Sequence, residues 1–347
     1  MPEQAPYAVT PHLETLLARQ ELPAAAAREV MEAIIAGRVA PASMAAFLTA
    51  LRVKGETEGE IAAFAQALRE NAVRVQAPEG TLDTCGTGGD HSGTFNISTA
   101  VALVASGMGI PVAKHGNRSV SSRSGSADVL KTLGVNIDAK VPVLESCLRD
   151  VGLAFLFAPL HHPGLKHAGP IRKEMGIRTV FNMLGPLANP ALAQRQLLGV
   201  FDPQLCEVFA RVLKRLGSKQ ALIVCGVGPG GKACLDEIST WGPTVIAWLR
   251  NGQVQRETIE PRGLGLQAPE EGALNVDGPE ASAEVVRGIL DGKKGPARDI
   301  VLLNAAGAAQ VADKAPTWED GLALAAKTID QGKAAEVLKK LVDATNA

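Results

Sequence analysis

The chain has few aromatic residues: Phe, Trp and Tyr together make up 3% of its 347 residues. Single-stranded nucleic acids are held largely by aromatic stacking platforms, so this scarcity speaks against such a partner. There is no excess of basic charge either, the formal net charge being -1. A broad nucleic-acid or membrane-surface face needs concentrated Lys and Arg, which leaves room for one small basic pocket at most. CxxC spacing is absent. The five cysteines, Cys85, Cys147, Cys206, Cys225 and Cys234, are odd in number and irregularly spread. That pattern predicts reduced thiols in a cytoplasmic protein rather than a disulfide framework. No charged segment followed by an apolar one opens the chain, so no secretory signal is expected. The uncharged run at 95–113 contains Asn96, Ser98, Thr99, Ser106, Gly107, Gly109 and Pro111, and is too polar and broken for a membrane span.

Hydrophobic residues are plentiful, at 46%, and the length suits about two domains. Residues 10–75 read as helices only. Leu13, Leu16 and Leu17 share one face, Val30, Ile34 and Ile35 the next, and Gly37 follows as a stop. Thr57 with Glu60 three residues later is a capping box. Four short helices with small loops predict a compact helical unit. From about residue 80 the texture changes. Short β-type runs (IPVA at 110–113, LAFLF at 153–157, ALIVC at 221–225, TVIAWL at 244–249) alternate with helical patterns at 126–134 and 204–217. Three more helical patterns follow toward the C terminus: SAEVVRGIL, DGLALAAKTID and KAAEVLKKLVDA. This alternation predicts an α/β domain with a mostly parallel sheet.

Two loops carry the chemistry. In DTCGTGGDHSGTFNISTA, at 83–100, a strand-like lead runs into Gly86, Gly88 and Gly89, and a helix is expected from about Ile97. Glycines let the backbone turn sharply and bring its N–H groups close to a ligand. Asn96, Ser98 and Thr99 sit at the helix start, where hydroxyls, backbone donors and the positive end of the helix dipole make an anion site. In AKHGNRSVSSRSGSADVL, at 113–130, Lys114, His115, Asn117, Arg118 and several serines again lie between a strand and a helix. Two such loops at strand C-termini of one sheet face the same crevice. A phosphate at each end of one ligand would account for both.

Other stretches need weighing. GVGPGGKA, at 226–233, matches GxGxxG and nearly a Walker loop, but Ala233 stands where the magnesium-binding hydroxyl belongs and no helix follows, so it reads as a loop. His161, His162 and His167 suggest zinc, but Pro163 and Gly164 break any helical spacing, and a polar lead into a helix is the better reading. Asp236 and Glu237 are adjacent on an extended segment. Such neighbours usually point to opposite sides, yet beside two phosphate loops they suit a magnesium anchor. Arg172 and Lys173 diverge by about 100° on a helix, so only one of them can serve a given ligand; Arg is the better carboxylate clamp, and Arg178 follows nearby.

Together GTGGD at 86–90, NIST at 96–99, KHGNRSVSSRSGSADVL at 114–130, HPGLKHAGPIRKEMGIRTVFNMLGPLANP at 162–190 and LDEIST at 235–240 resemble the anthranilate phosphoribosyltransferase family. The resemblance runs from the first helices to about residue 345. Pyrimidine nucleoside phosphorylases share the fold and are the alternative, but KHGNR favours the phosphoribosyltransferases. The resemblance implies a nucleoside phosphorylase/phosphoribosyltransferase-like fold. A helical domain spans 1–75 with a return near 166–190, and hinges join it to an α/β domain over 76–165 and 191–347. It implies a cytoplasmic homodimer, formed through the helical domain, with Mg²⁺ as cofactor. The reaction implied is transfer of the phosphoribosyl group of 5-phosphoribosyl 1-diphosphate to anthranilate, the second step of tryptophan biosynthesis from chorismate. The phosphoribosyl diphosphate residues implied are Gly86, Gly89, Asp90, Thr94, Asn96, Ser98, Thr99, Lys114, His115, Gly116, Asn117, Arg118, Ser119, Val120, Ser121, Ser122 and Ser126. Gly86, Asn117, Arg172 and His115 are implied for anthranilate, and Ser98, Asp236 and Glu237 for the metal. No general acid or base is assigned. Two departures stand out: a longer loop before LDEIS, and Cys225 where a histidine is common.

Overall fold

A computed structural model describes residues 6–118, 124–231 and 234–347. The chain divides into two compact units, 1–74 with 158–192, and 75–157 with 193–347.

The first unit is helical: α1 (Thr10–Leu17), α2 (Ala24–Ile35), α3 (Pro41–Lys54) and α4 (Glu58–Glu70). Helix α2 buries Ala27, Val30, Met31, Ala33 and Ile34 and packs on α4, while Phe47 of α3 meets Phe64 of α4 edge-on at 6.4 Å. The capping box at α4 forms as expected, Thr57 N–H donating to Glu60 Oε2 at 2.9 Å and Glu60 N–H to Thr57 Oγ1 at 3.3 Å. Glu60 is fully buried and also accepts from Leu22 N–H and Lys54 Nζ, so its charge is matched where it is desolvated. The apolar face of α1 is narrower than its leucines suggest: Leu16 is buried but Leu17 is 63% exposed.

The chain returns to this unit at Ala158, earlier than the sequence reading of about 166, because the two adjacent histidines are tied into it. Val73 N–H donates to His161 O at 2.8 Å, His161 Nδ1 meets Val73 O at 2.9 Å, and His162 Nε2 meets Ala188 O at 2.9 Å. These imidazoles hold backbone carbonyls, which gives both a structural role.

Burial lowers the pKa of His162 to about 4 from the usual 6.5 or so. Between those values the unfolded chain binds a proton that the folded chain excludes. This contribution is therefore fully present above pH 6.5 and is lost as pH falls toward 4. From this group, unfolding should be about 2 kcal/mol easier at pH 5 than at pH 7.5. His162→Gln keeps a donor for Ala188 O and removes the titration, so urea unfolding of the two proteins should differ in its pH slope. Parallel profiles would refute the assignment.

The second unit is built on one sheet. Its strands are β1 (Leu82–Gly86), β2 (Val112–Gly116), β3 (Leu153–Phe157), β4 (Arg195–Gly199), β5 (Gln220–Val227), β6 (Cys234–Leu235), β7 (Thr244–Arg250) and β8 (Gln253–Ile259). The order is β3-β2-β1-β4-β5-β7-β8, with β6 on β5. Strands β3 through β5 in that order are parallel, and β6, β7 and β8 are antiparallel additions. Helices α5 (Ile97–Gly107) and α6 (Ser126–Thr132) follow β1 and β2. Helix α5 is buried along nearly its whole length and packs on the sheet and on the helix Pro296–Val311. Among the described residues no helix is long and apolar enough to cross a membrane.

Cysteine usage differs from expectation. Cys225 and Cys234 are joined by a disulfide between β5 and β6, their Cα atoms 6.1 Å apart, while Cys85, Cys147 and Cys206 are free and buried. Irregular sequence spacing hid the pair, which becomes adjacent only because β6 folds back antiparallel on β5.

Candidate active site

The site is assembled where parallel strands end. Three neighbouring strands carry glycines there: Gly86 at the end of β1, Gly199 at the end of β4, in register with it, and Gly226 near the end of β5. Segment 236–239 lies directly against them. A Cβ on Gly199 would fall on the carbonyl of Asp236, one on Gly86 would strike the Asp236 carboxylate, and one on Gly226 would sit 2.6 Å from Glu237 O. The missing side chains are what admit the acidic segment. Gly199 and Gly226 were not singled out from sequence for this role, because the pairing of glycine-ended strands is set by the sheet order.

Asp236 and Glu237 do not point apart, as an extended segment would require. The chain bends at these residues, and both carboxylates reach the loop between β1 and α5. Asp236 Oδ2 accepts from Gly88 N–H at 2.8 Å, and Glu237 Oε1 accepts from Ser98 N–H, in the first turn of α5, at 3.0 Å. Gly88 and Gly89 have φ of +67° and +75°, a conformation that glycine adopts without cost and which turns the loop toward Asp236. Asp90 lies close enough to bear on both acids. Burial first, and then the charge of Asp90, push the Asp236 carboxyl up to about 7. Burial and Asp236 raise Glu237. Ionised together, these carboxylates call for a cation.

One cation is built in. Lys114, on β2, is 2% exposed and donates to Thr84 O and, at 3.1 Å, to Ser98 Oγ. Burial lowers its pKa against the opposing pull of Asp83, Glu237 and Asp236. A single ammonium does not balance this acidic group, so the donor set fits a further hard cation. Among the described residues no three His, Cys, Asp or Glu side chains converge as a cage. Mg²⁺ suits such a site, since it commonly takes one or two carboxylates and fills its shell with water and phosphate oxygens.

Asn96 joins the two loops. Its Oδ1 accepts from Ser124 Oγ at 2.7 Å and Ser282 Oγ at 2.9 Å, its N–H donates to Ser282 Oγ at 3.0 Å, and its Nδ2 donates to Ser124 O at 3.2 Å. Ser282 is fully buried; it opens the helical pattern SAEVVRGIL, to which the sequence reading gives no site role. Thr94 pairs with Asn275 in an isolated bridge. Thr99 is buried; its hydroxyl has no partner among the described residues, and it lines a small internal cavity with Lys114 and Phe155. In the second loop His115 N–H donates to Asp83 Oδ1 at 3.2 Å. A Cβ on Gly116 would strike Ser126 Oγ and the Phe155 ring. Ser126 Oγ and Ala127 N–H both donate to Asn117 O. Arg118 pairs with Asp128 at 3.3 Å and lies 5.8 Å from the Phe157 ring centroid. Ser119, Val120, Ser121 and Ser122 lie outside the described residues, as do Lys232 and Ala233.

Arg172 belongs to the helical unit. Its guanidinium lies 5.0 Å from the centroid of the Phe181 ring and is half-buried, whereas Lys173 is exposed. Burial lowers its pKa, and no carboxylate among the described residues pairs with it.

A model of the glycosyl transferase family a/b domain matches residues 79–335, and one of the glycosyl transferase family helical bundle domain matches residues 10–72. Anthranilate phosphoribosyltransferase of Thioalkalivibrio sulfidiphilus is 48% identical over 344 residues, 99% of this chain and 98% of the relative. The crystal structure of the Thermus thermophilus enzyme superposes with a TM-score of 0.90 at 39% identity, covering 96% of this chain and 99% of that one. The Saccharomyces cerevisiae enzyme in complex with PRPP and Mg superposes with a TM-score of 0.88 at 30% identity, covering 97% and 98%. By full-length identity and by both domain matches, the chain belongs to the anthranilate phosphoribosyltransferase family.

Proposed function

We propose that this chain transfers the phosphoribosyl group of 5-phosphoribosyl 1-diphosphate to the amine of anthranilate, releasing diphosphate, as a step of tryptophan biosynthesis in the cytoplasm. The observation that carries this reading is the acidic pair Asp236 and Glu237, seated on strand-end glycines and bonded to the loop that opens α5. Its relatives are phosphoribosyltransferases, and the yeast enzyme is known with PRPP and Mg bound, which favours this reaction over phosphorolysis of a nucleoside.

Gly86, Gly89, Asp90, Thr94, Ser98 and the second loop from Lys114 to Arg118 bind the sugar diphosphate, and Asn96 holds the two loops in register. Asp236 and Glu237, with the Ser98 hydroxyl, would hold Mg²⁺, which when bound offsets negative charge on the leaving diphosphate. The acceptor amine is aromatic and neutral at pH 7, so the chain needs no strong general base. The demanding event is loss of diphosphate from C1 as positive charge grows on the ribose. The positive end of the α5 dipole and the buried Lys114 ammonium favour the phosphates. Aligning the amine beneath C1 supplies much of the remainder, effective molarity being worth roughly 7–11 kcal/mol at best. Two copies pair through the helical unit, where Leu17 and Val53, 63% and 70% exposed, offer apolar surface on α1 and α3.

Arg172 takes the anthranilate carboxylate. It is a half-buried arginine of the helical unit, backed by Phe181, with no carboxylate partner among the described residues. Charged hydrogen bonds are worth about 1.5–3 kcal/mol, so Arg172→Ala should raise KM for anthranilate by roughly 10- to 100-fold and leave KM for the sugar diphosphate nearly unchanged. Lys173→Ala should alter neither. Equal rises in both KM values would remove the role. The reaction itself is tested by anthranilate fluorescence, which should fall on adding the sugar diphosphate with Mg²⁺. It should not fall with a nucleoside and phosphate. Signal loss without the sugar diphosphate, or none with it, would overturn the reading.

A further inference from the structure

We infer that Asn304 is the positioning residue for the acidic pair; the inference rests on the function just proposed. Strand β6 ends at Leu235, and β5 pairs next with Thr244 of β7. Between them residues 236–242 have no strand partner among the described residues, although they carry the two carboxylates; only at Pro243, whose carbonyl accepts from Val227 N–H at 3.0 Å, does β5 take up the chain again. Their backbone is held by side chains instead. Asn304 Oδ1 accepts from Ile238 N–H at 2.9 Å, and Asn304 Nδ2 donates to Ile238 O at 2.8 Å. This two-point clamp, one residue beyond Glu237, imitates the exchange of bonds between paired strands. The second Nδ2 proton goes to Ile300 O at 2.9 Å, so every amide donor is used.

The setting of this clamp is informative. Asn304 is fully buried in the helix Pro296–Val311, where it is followed by Ala305, Ala306, Gly307, Ala308 and Ala309. Asparagine is a poor helix former, and a buried amide is costly unless bonded. Its place here is explained by Ile238. One turn of the helix holds that residue twice: Asn304 takes its backbone, and Gly307 makes room for its side chain, since a Cβ there would lie 2.8 Å from Ile238 Cδ1. Further along, Ser239 N–H donates to Thr244 Oγ1 and Ser239 Oγ to Val227 O. Asn304 thus anchors the backbone of this segment one residue from Glu237, and its loss should loosen the placement of the carboxylates while the sheet stays intact.

The test uses Asn304→Ala and Asn304→Leu, the second restoring volume but not bonds. Mn²⁺ binding is followed by electron paramagnetic resonance with inorganic diphosphate present, and Mg²⁺ activation by turnover. Both variants should bind Mn²⁺ at least about 10-fold more weakly and need correspondingly more Mg²⁺ for half-maximal rate, with KM for anthranilate changed less than about 3-fold, a displacement of 1 Å being worth about 100-fold in rate. A wild-type cation midpoint in both variants, or its recovery in Asn304→Leu, overturns the inference. Should neither variant fold, amide exchange in the wild type decides: Ile238 N–H as protected as the strands supports the clamp, and exchange at loop rates overturns it. A wild-type chain that neither binds Mn²⁺ with diphosphate nor depends on Mg²⁺ overturns the functional reading, and the inference with it. Cation dependence in the wild type that persists unchanged in the variants overturns the inference alone.

Discussion

Replacing Gly199 by alanine should reduce kcat/KM by about 100-fold or more, because a shift of 1 Å in a catalytic group already has an effect of that size. Gly199 ends β4, and a methyl group there would occupy the position of the Asp236 carbonyl. Neither partner can yield cheaply. The Gly199 carbonyl accepts from Thr87 N–H at 2.9 Å, and Val200 N–H donates to Val224 O at 2.9 Å. On the other side, Ile238 is clamped by Asn304. The acidic segment must therefore move, and it takes both carboxylates with it. Overpacking of this kind costs about 1–3 kcal/mol of stability, so the variant should fold with a lowered melting temperature and show its main defect in turnover. Gly263→Ala is the control: its Cβ would meet nothing within 4 Å, and activity should be unchanged. Wild-type turnover in Gly199→Ala would show that the segment tolerates displacement and that its placement does not limit the reaction.

The same residues show how far the sequence could be read. Strand β3 falls at the expected 153–157, β5 extends its predicted core at both ends and β7 ends at Arg250, one residue beyond its own, because continuous apolar runs bounded by turn residues are a direct signal of buried strands. The helical unit was legible through its capping box and its apolar spacing. Strand β4 was not. It is Arg195–Gly199, opens on Arg195 and the fully buried Gln196, and keeps only Leu197 and Leu198 as apolar residues before Gly199 interrupts the run. The helix Pro296–Val311 was missed for the opposite reason. Most of its residues are buried, and small residues surround it on all sides, so no 3.6-residue contrast remains. These two elements carry Gly199 and Asn304, the residues that shape and hold the acidic segment. The loops of the site announce themselves through clustered Gly, Ser, Thr and Lys, whereas their supports are single residues in ordinary contexts. Nor could the facing of Asp236 and Glu237 be read in advance. Alternation holds for an extended strand, and the bend at 236–237 arises from contacts with residues far away in the chain.

Asp236→Asn should separate activity from stability in opposite directions. The substitution keeps size and shape, and the new amide oxygen remains able to accept from Gly88 N–H; what disappears is charge. If the pair holds Mg²⁺ against the diphosphate, turnover should fall by about 100- to 1000-fold, the range typical for removing one preorganised electrostatic contact, with part of it regained at high Mg²⁺. Stability should rise. The Asp236 carboxyl is pushed up to about 7 by burial and by Asp90, from an ordinary value near 3.9. Folding without a cation therefore becomes less favourable as pH climbs from the unfolded value through the folded one, and this group opposes folding most fully above pH 7. Asn carries no such charge. At pH 8 with chelator present the variant should melt higher than the wild type, and at pH 4 the gap should close. Adding Mg²⁺ and diphosphate should raise the wild-type melting temperature more than that of the variant, since only a bound ligand with higher affinity shifts it further. A site kept at the expense of stability is the expected signature of function. A variant that loses stability and activity together would instead mark Asp236 as a structural carboxylate.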